Sequence, residues 1–189
     1  MLEEETLNAA TVPTLSHPGL LVMDVDSTLI DEEVIDELGV AAGVGDRIAS
    51  VTARAMNGEL DFRDALHDYG WKVGVVSGGF HEVVDRLASD ANIDYWIANR
   101  LETADGRLTG RVLGDIVTKD VKLESLRTWA GRMGVSMAQT VAVGDGANDL
   151  PMIHAAGLGV TFCAKPKVQQ EAPHRLNERD LIKILDFLR

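Results

Sequence analysis

One cysteine, few basic residues and no long apolar run mark this sequence, and each scarcity excludes a class of protein. Cys163 is the single cysteine among 189 residues, which excludes an internal disulfide and makes a reducing, cytoplasmic setting the expectation. The 18 basic residues are outnumbered by 30 acidic ones, whereas a general nucleic-acid binder would present a basic face. No apolar run reaches membrane-spanning length and no signal peptide opens the chain, so we expect neither a membrane nor a nucleic acid as partner.

What the sequence does contain is a pair of carboxylates at the end of an apolar stretch. Leu20–Asp24 predicts a buried strand, and Asp24 and Asp26 are spaced so that an extended backbone points both to the same side. Such a pair is costly unless a cation sits beside it, and oxygen ligands favour Mg²⁺. One carboxylate is then available as a nucleophile, as in enzymes that form an aspartyl phosphate.

This stretch has two other interpretations. An acidic loop that caps the following helix remains an alternative on the residues alone. A calcium-binding loop does not, because it needs glycine at its sixth position and a carboxylate at its twelfth. Counted from Asp24, those positions are Leu29 and Ile35.

Strands and helices alternate along the chain, which predicts an α/β fold with a doubly wound, Rossmann-like parallel sheet. The predicted strands are Leu20–Asp24, Lys72–Val76, Tyr95–Ala98, Thr140–Val143 and Leu158–Phe162, with a hairpin over Asn99–Val112 that turns at Asp105-Gly106. The predicted helices are Val34–Met56, Asp61–Leu66, Phe80–Ser89, Lys119–Met133 and Asp149–Ala156, with further helices after Pro166 and Arg179. We divide the chain into a tail (1–19), a catalytic core (20–31 and 69–189) and a small helical cap (32–68).

Two further motifs follow predicted strands, at the sheet edge where ligands bind in such folds. Ser77-Gly78-Gly79 offers backbone N–H groups and a hydroxyl to an anion at a helix N-terminus, although an ordinary glycine turn is the simpler explanation of this motif taken alone. Gly144–Asp149 offers Asp145 to complete a metal site with Asp24, and Asn148 to donate to a phosphate oxygen or to the substrate. Asp149 is available to bind metal through water or to orient a lysine. A helix N-cap is the alternative for this second motif, and it is compatible with catalysis.

A lysine is needed to neutralise phosphate and nucleophile, and four candidates follow the motifs in suitable places: Lys119, Lys122, Lys165 and Lys167. We prefer Lys122, at the start of the amphipathic segment Lys119–Met133, although spacing alone does not separate it from Lys119.

These motifs together resemble those of the haloacid dehalogenase-like phosphatases: Asp24-Val-Asp26-Ser-Thr28, Ser77-Gly-Gly, a distal lysine and Gly144-Asp145-Gly-Ala-Asn148-Asp149. The resemblance is closest to the members that act on L-phosphoserine, and it includes Phe162-Cys-Ala-Lys-Pro166. It implies a phosphatase with this family's core and a Mg²⁺ cofactor, which hydrolyses a small phosphomonoester, L-phosphoserine, in the last step of serine biosynthesis.

The resemblance also assigns roles. Asp24 becomes the nucleophile and Asp26 the general acid and base, while Ser77, Gly78, Lys122 and Asn148 bind phosphate. Mg²⁺ is held by Asp24, Asp145 and the backbone carbonyl of Asp26. Thr28 and Asp149 support the site. Glu33 meets the amine of the substrate.

One departure from the family concerns the cap. Ala65-Leu66-His67 runs almost directly into Gly70-Trp71-Lys72, where the family has further cap helices and an arginine for the substrate carboxylate. Either the cap is reduced, or a mobile lid segment is absent from this sequence; we favour the second, because lids are mobile by necessity. The functional alternatives are a related phosphatase with another small substrate and, from a different class, a phospho-accepting receiver domain of signalling.

Overall fold

A seven-stranded sheet forms the centre of the computed structural model, which describes residues 12–31 and 62–189. Across the sheet the strands run in the order β4-β3-β2-β1-β5-β6-β7, and only β4, at one edge, is antiparallel to its neighbour. The strands are β1 Leu20–Met23, β2 Lys72–Phe80, β3 Tyr95–Ala104, β4 Arg107–Leu113, β5 Thr140–Gly144, β6 Leu158–Phe162 and β7 His174–Leu176. The predicted α/β class with a mostly parallel sheet is confirmed.

Helices cover both faces of this sheet. They are α1 at residues 62–68, α2 His81–Asp90, α3 Lys119–Met133, α4 Leu150–Ala155 and α5 Pro166–Glu171, with 3₁₀ turns at Met137–Gln139 and Leu181–Phe187. Successive residues of β1 enter different cores: Leu21 and Met23 pack in one cluster, Leu20 and Val22 in the other. This is why all four residues of β1 are buried and why the strand is apolar throughout.

The register of the strands brings the predicted site residues together. Met23 pairs with Val75 of β2 and with Val143 of β5, so the chain leaves β1 and β5 at the same edge of the sheet. Asp24 and Asp145 lie directly beyond these two ends, and β2 passes through Ser77 on the other side of β1. The expected meeting of three motifs at one edge is therefore observed.

Several boundaries differ from the sequence-based expectation. β2 continues through Ser77-Gly78-Gly79 to Phe80, which pairs with Asn99 after a shift of register. β3 likewise continues into the predicted hairpin, whose Asp105-Gly106 turn has the expected positive φ at both residues, 51° and 73°. Three-residue β7 was not predicted, and the last helix is a 3₁₀ turn, because such short segments are fixed by pairing and packing with the core, not by periodicity.

The predicted tail is partly structured. Its described residues, 12–19, are bonded to the end of the chain and to the core: Leu15 N donates to Arg189 O (2.8 Å), and Arg189 N donates to Pro13 O (3.0 Å). The Trp71 indole donates to Leu15 O (2.9 Å). Residues 12–19 therefore take part in hydrogen bonds with the core, and the division of the chain at residue 19 stays a prediction.

The short link between cap and core is a tight, packed turn. Tyr69 N and Trp71 N both donate to Leu66 O (3.1 Å each), and Gly70 has the left-handed φ of 78° that the turn requires. Leu66 and Trp71 are buried on either side of it. The predicted helix Val34–Met56 and most of the proposed cap lie outside the described residues. Within 12–31 and 62–189, no helix combines the length and apolarity needed to cross a bilayer.

Candidate active site

The site begins with an unusual turn directly after β1. Asp24 N donates to Val143 O (3.0 Å), which continues the pairing of β1 with β5 by one residue. The chain then makes a π-turn over Val25–Leu29, closed by a hydrogen bond from Ile30 N to Val25 O (3.0 Å). Within it Ser27 has a left-handed φ of 53°, a conformation that non-glycine residues rarely adopt outside functional turns.

This turn fixes two side chains of the first motif. The Asp24 carboxylate accepts a hydrogen bond from Val25 N through Oδ1 (2.7 Å), which leaves Oδ2 for other partners. Thr28, on the far side of the turn, is buried, and its Oγ1 donates to Asp145 Oδ1 at a long 3.4 Å. Thr28 therefore links the turn after β1 to the loop after β5.

Lys122 is the cation at the centre of the site. Its ammonium lies 2.7 Å from Asp24 Oδ2 and 2.7 Å from Asp149 Oδ1, and its side chain is completely buried. The Thr118 hydroxyl accepts a hydrogen bond from Val121 N and so caps α3, the helix that carries Lys122 into the core. Of the candidate lysines, Lys119 is exposed on the same helix and Lys165 is exposed at the start of α5.

The two carboxylates compete for this single ammonium. Burial, and next the neighbouring Asp149 carboxylate, raise the pKa of Asp24 to about 7, although Lys122 opposes the shift. Burial lowers the pKa of Lys122, but the Asp24 and Asp149 carboxylates outweigh burial and hold this pKa above its usual range. The lysine is therefore charged, and the pocket carries more negative charge than one lysine neutralises.

Asp149 is held by two donors. Its Oδ1 accepts from Lys122 (2.7 Å) and its Oδ2 accepts from Gly146 N (3.0 Å), and its side chain is fully buried. Gly144 makes room for it, since a Cβ there would lie 2.4 Å from the Asp149 carboxyl carbon. Of the two roles expected for Asp149, orientation of the lysine matches this geometry.

A divalent cation fits the acidic cluster by charge and by ligand type. Asp24, Asp145 and Asp149 each offer a carboxylate oxygen, and these oxygens lie within 4.8 Å of one another. Three carboxylates against the one Lys122 ammonium leave two formal negative charges, which a divalent ion balances. Carboxylate oxygens are the ligands that Mg²⁺ prefers. Asp24 and Asp145, which directly follow β1 and β5, are the two of these carboxylates that the sequence motifs predict as ligands.

The second motif lies across the site from the acidic cluster. Ser77 is fully buried; its Oγ accepts from Gly79 N (2.9 Å) and donates to Asp26 Oδ2 at 3.4 Å. Gly78 is exposed, and a Cβ added there would meet nothing within 4 Å, so the space beside its backbone is open. An anion can approach this backbone, as the sequence motif predicts.

The remaining predicted site residues differ in how well they are placed. Asn148 is exposed on the loop after β5, beside Gly146. Glu33, the predicted contact of the substrate amine, lies outside the described residues. Sequence reasoning missed Asn99. Its Nδ2 donates to Gly78 O and its Oδ1 accepts from Val117 N, both at 2.8 Å, so Asn99 connects the Ser77-Gly78-Gly79 segment to the chain before α3. No motif signals it, because its place inside β3 was assigned to a hairpin.

Comparison with known proteins identifies the class. Residues 36–154 match the family of haloacid dehalogenase-like hydrolases, and the chain belongs to this family. It is 52% identical to the phosphoserine phosphatase of Streptococcus thermophilus over 205 aligned residues, which cover 90% of this chain and 95% of that relative. Among solved structures, a phosphoserine phosphatase in its apo form has a TM-score of 0.78 at 34% identity, covering 91% of this chain and 100% of that one. A phospho-aspartyl intermediate analogue of phosphoserine phosphatase has a TM-score of 0.72 at 35% identity, covering 92% and 100%.

The alignment also shows a difference in length. Ninety per cent of 189 residues is about 170, so about 35 of the 205 aligned positions hold residues of the streptococcal relative that have no counterpart here. Their location after Leu66 stays a prediction.

Proposed function

We propose that this protein hydrolyses L-phosphoserine to L-serine and phosphate through a phosphorylated Asp24, with Mg²⁺ as cofactor. The observation that carries the proposal is the buried Lys122 ammonium, 2.7 Å from both Asp24 and Asp149, beside the carboxylate of Asp145. The identity to proteins named phosphoserine phosphatase supports the substrate, and the solved phospho-aspartyl analogue of such an enzyme supports the intermediate. A receiver domain is not favoured by these comparisons.

In the first step, an Asp24 oxygen attacks phosphorus and the bond between phosphorus and the serine oxygen breaks. The electron pair of that bond leaves with the serine oxygen, and the Asp26 carboxylic acid gives it a proton. Asp24 accepts a hydrogen bond from Val25 N and contacts Lys122, so its orientation is set before substrate arrives. Asp26 belongs to the adjoining π-turn and contacts Ser77, which places its carboxylate beside the Ser77-Gly78-Gly79 segment.

In the second step, water attacks the phosphorus of the aspartyl phosphate and gives a proton to the Asp26 carboxylate. The bond between phosphorus and Asp24 breaks, which releases phosphate, restores the Asp24 carboxylate and leaves Asp26 protonated for the next turnover. Lys122, the Ser77 hydroxyl and the backbone beside Gly78 stabilise the phosphoryl oxygens in both steps.

Asp24, Asp145 and the Asp26 carbonyl are the groups we assign to the cation, with Thr28 supporting Asp145. When bound, Mg²⁺ supplies positive charge against the phosphoryl oxygens and lets the anionic substrate approach anionic Asp24. Asn148 and Glu33 complete the proposal as contacts of phosphate and of the substrate amine. Serine biosynthesis and a cytoplasmic setting follow from this assignment as predictions.

The test is phosphate release from a panel of phosphomonoesters, with Mg²⁺ and with excess chelator. We expect L-phosphoserine to be the preferred substrate and turnover to need Mg²⁺. Asp24→Asn is the matched control, because it keeps the size of the side chain while removing the nucleophile. Turnover of phosphoserine that is unchanged in chelator or in this variant would contradict the proposal.

A related phosphatase with a broader range of small substrates is the second candidate. The observation in its favour is the set of about 35 aligned positions that this chain lacks, together with the tight turn between α1 and β2. In the family resemblance, the residues after Leu66 contribute the arginine for the substrate carboxylate. Equal turnover of several unrelated phosphomonoesters would favour this candidate and leave the assignments of Asp24 and Lys122 intact.

A further inference from the structure

We infer that Arg179 is a positioning residue that holds the π-turn after β1 and thereby places Asp26 for proton transfer to the leaving group. This inference rests on the proposed function, and it concerns a residue that no sequence motif indicated. Arg179 follows β7 near the end of the chain, about 150 residues away from the turn that it contacts.

The guanidinium directs its donors to one short stretch of chain. Nη1 donates to Ser27 O (2.9 Å), Nη2 donates to Ile30 O (3.0 Å), and Nε is paired with the Asp31 carboxylate. The first of these acceptors lies within the π-turn, and the other two belong to the two residues that follow it. A planar group with several fixed donors suits this task, whereas a lysine ammonium is a single point of charge.

The Arg179 guanidinium also contacts the hydrophobic core. The Arg179 guanidinium carbon lies 5.4 Å from the centre of the Phe162 ring, within the range of a cation–π interaction. Phe162 is buried at the end of β6. Arg179 therefore connects a rigid strand of the sheet to the turn, and the turn does not depend on its own residues alone.

The turn needs such support because of its conformation. Ser27 has a φ of 53°, which is unfavourable for a residue with a side chain, and its carbonyl is one of the two that Arg179 binds. Ser27 directly follows Asp26, whose carboxylate accepts a hydrogen bond from the Ser77 hydroxyl (3.4 Å). A change at Ser27 therefore moves Asp26, while Asp24 is fixed separately by Val25 N and Lys122.

Because Asp24 and Asp26 are held by different contacts, loss of Arg179 should affect proton transfer by Asp26 more than attack by Asp24. The alkoxide of serine needs a proton from Asp26 in order to leave, whereas p-nitrophenolate is a weak base that leaves without one. Loss of Arg179 should therefore slow phosphorylation by phosphoserine much more than phosphorylation by p-nitrophenyl phosphate. The comparison uses kcat/KM, because this quantity includes the steps only up to the first irreversible one and excludes hydrolysis of the aspartyl phosphate.

The variants are Arg179→Gln, Arg179→Lys and, as a matched control, Arg86→Gln, which removes an exposed arginine paired only with Asp90 in the described structure. General acids contribute roughly 10²- to 10⁴-fold, so partial misplacement in Arg179→Gln should lower the ratio of kcat/KM for phosphoserine to that for p-nitrophenyl phosphate about tenfold or more. Arg179→Lys should fall between this variant and the wild type, and Arg86→Gln should match the wild type.

Equal loss with both substrates, or no loss with either, would overturn the inference, because a purely structural role affects both substrates alike. If Arg179→Gln does not fold, as judged by its thermal melting, the ratio in Arg179→Lys decides. Failure of the proposed function is distinguishable, since it would show as absent phosphoserine turnover in the wild type. The same ratio would then be measured with glycerol 2-phosphate as the alkyl ester.

Discussion

Replacing Lys122 with methionine removes the only ammonium that the described structure places between Asp24 and Asp149. Methionine is unbranched and fills much of the same space, so the loss is one of charge and not of packing. Lys122 is completely buried, Asp149 is fully buried and Asp24 is nearly so. Two carboxylates then face each other away from water without a counter-charge.

The expected loss of stability follows from these burials. Removing one partner of a buried ion pair costs about 3–5 kcal/mol, a large part of the roughly 5–15 kcal/mol by which proteins are stable. Lys119→Met is the control, because Lys119 is exposed one turn earlier on α3. Surface changes of that kind stay within about 0.5 kcal/mol.

The loss should depend on pH in a defined direction. The pKa of Asp24 is raised to about 7 in the folded protein, so folding favours its protonated form and the free energy of unfolding falls as pH rises from about 4 to about 7. Without Lys122 this pKa rises further, and the folded variant keeps a proton that the folded wild type has lost. Above pH 7 the difference between the two proteins should therefore grow, by at most about 1.4 kcal/mol per pH unit.

Urea unfolding at pH 5.5 and pH 8.5, in excess chelator so that no divalent ion contributes, measures this difference. We expect Lys122→Met to be destabilised at both pH values and more strongly at pH 8.5. A loss below about 1 kcal/mol, or one that is the same at both pH values, would refute the argument that buried carboxylates depend on this lysine.

Three further predictions test other parts of the site. Asp24→Asn should abolish turnover and leave a cooperative thermal transition; turnover near that of the wild type would exclude Asp24 as nucleophile. Gly144→Ala should lower kcat by roughly 100-fold, because the new Cβ would lie only 2.4 Å from the Asp149 carboxyl carbon and must displace it. A fully active variant would show that Asp149 need not occupy this position. Replacing Mg²⁺ with Ca²⁺ should inhibit, because Ca²⁺ takes more ligands and disturbs the in-line arrangement; equal rates with both ions would argue against this account of the cation.

The sequence predicted the location of the site better than its details. Apolar strands that end in Asp24 and Asp145 must place these carboxylates at one edge of a parallel sheet, and they do. Lys122 could not be separated from Lys119 by periodicity, because residues three apart share a helix face. Their different burial depends on how α3 sits against the sheet.

Other features depend on distant parts of the chain and leave no local pattern. The π-turn after Asp24 contains no glycine, so its left-handed Ser27 is not signalled by residue type. Arg179 looks like one of many surface arginines until the fold brings it to the Ser27 carbonyl. Residues 1–19 resemble a tail in the sequence because they have three successive glutamates near their start and include Pro13 and Pro18, yet within the described part of this stretch Leu15 N donates to Arg189 O.

The most direct test of the account is acid quenching of the enzyme during turnover of ³²P-labelled L-phosphoserine, followed by peptide mapping. The account predicts a covalent label on the peptide that contains Asp24, sensitive to alkali as an acyl phosphate is, and no label in Asp24→Asn. Turnover of phosphoserine with no covalent label, or with a label on another residue, would contradict it.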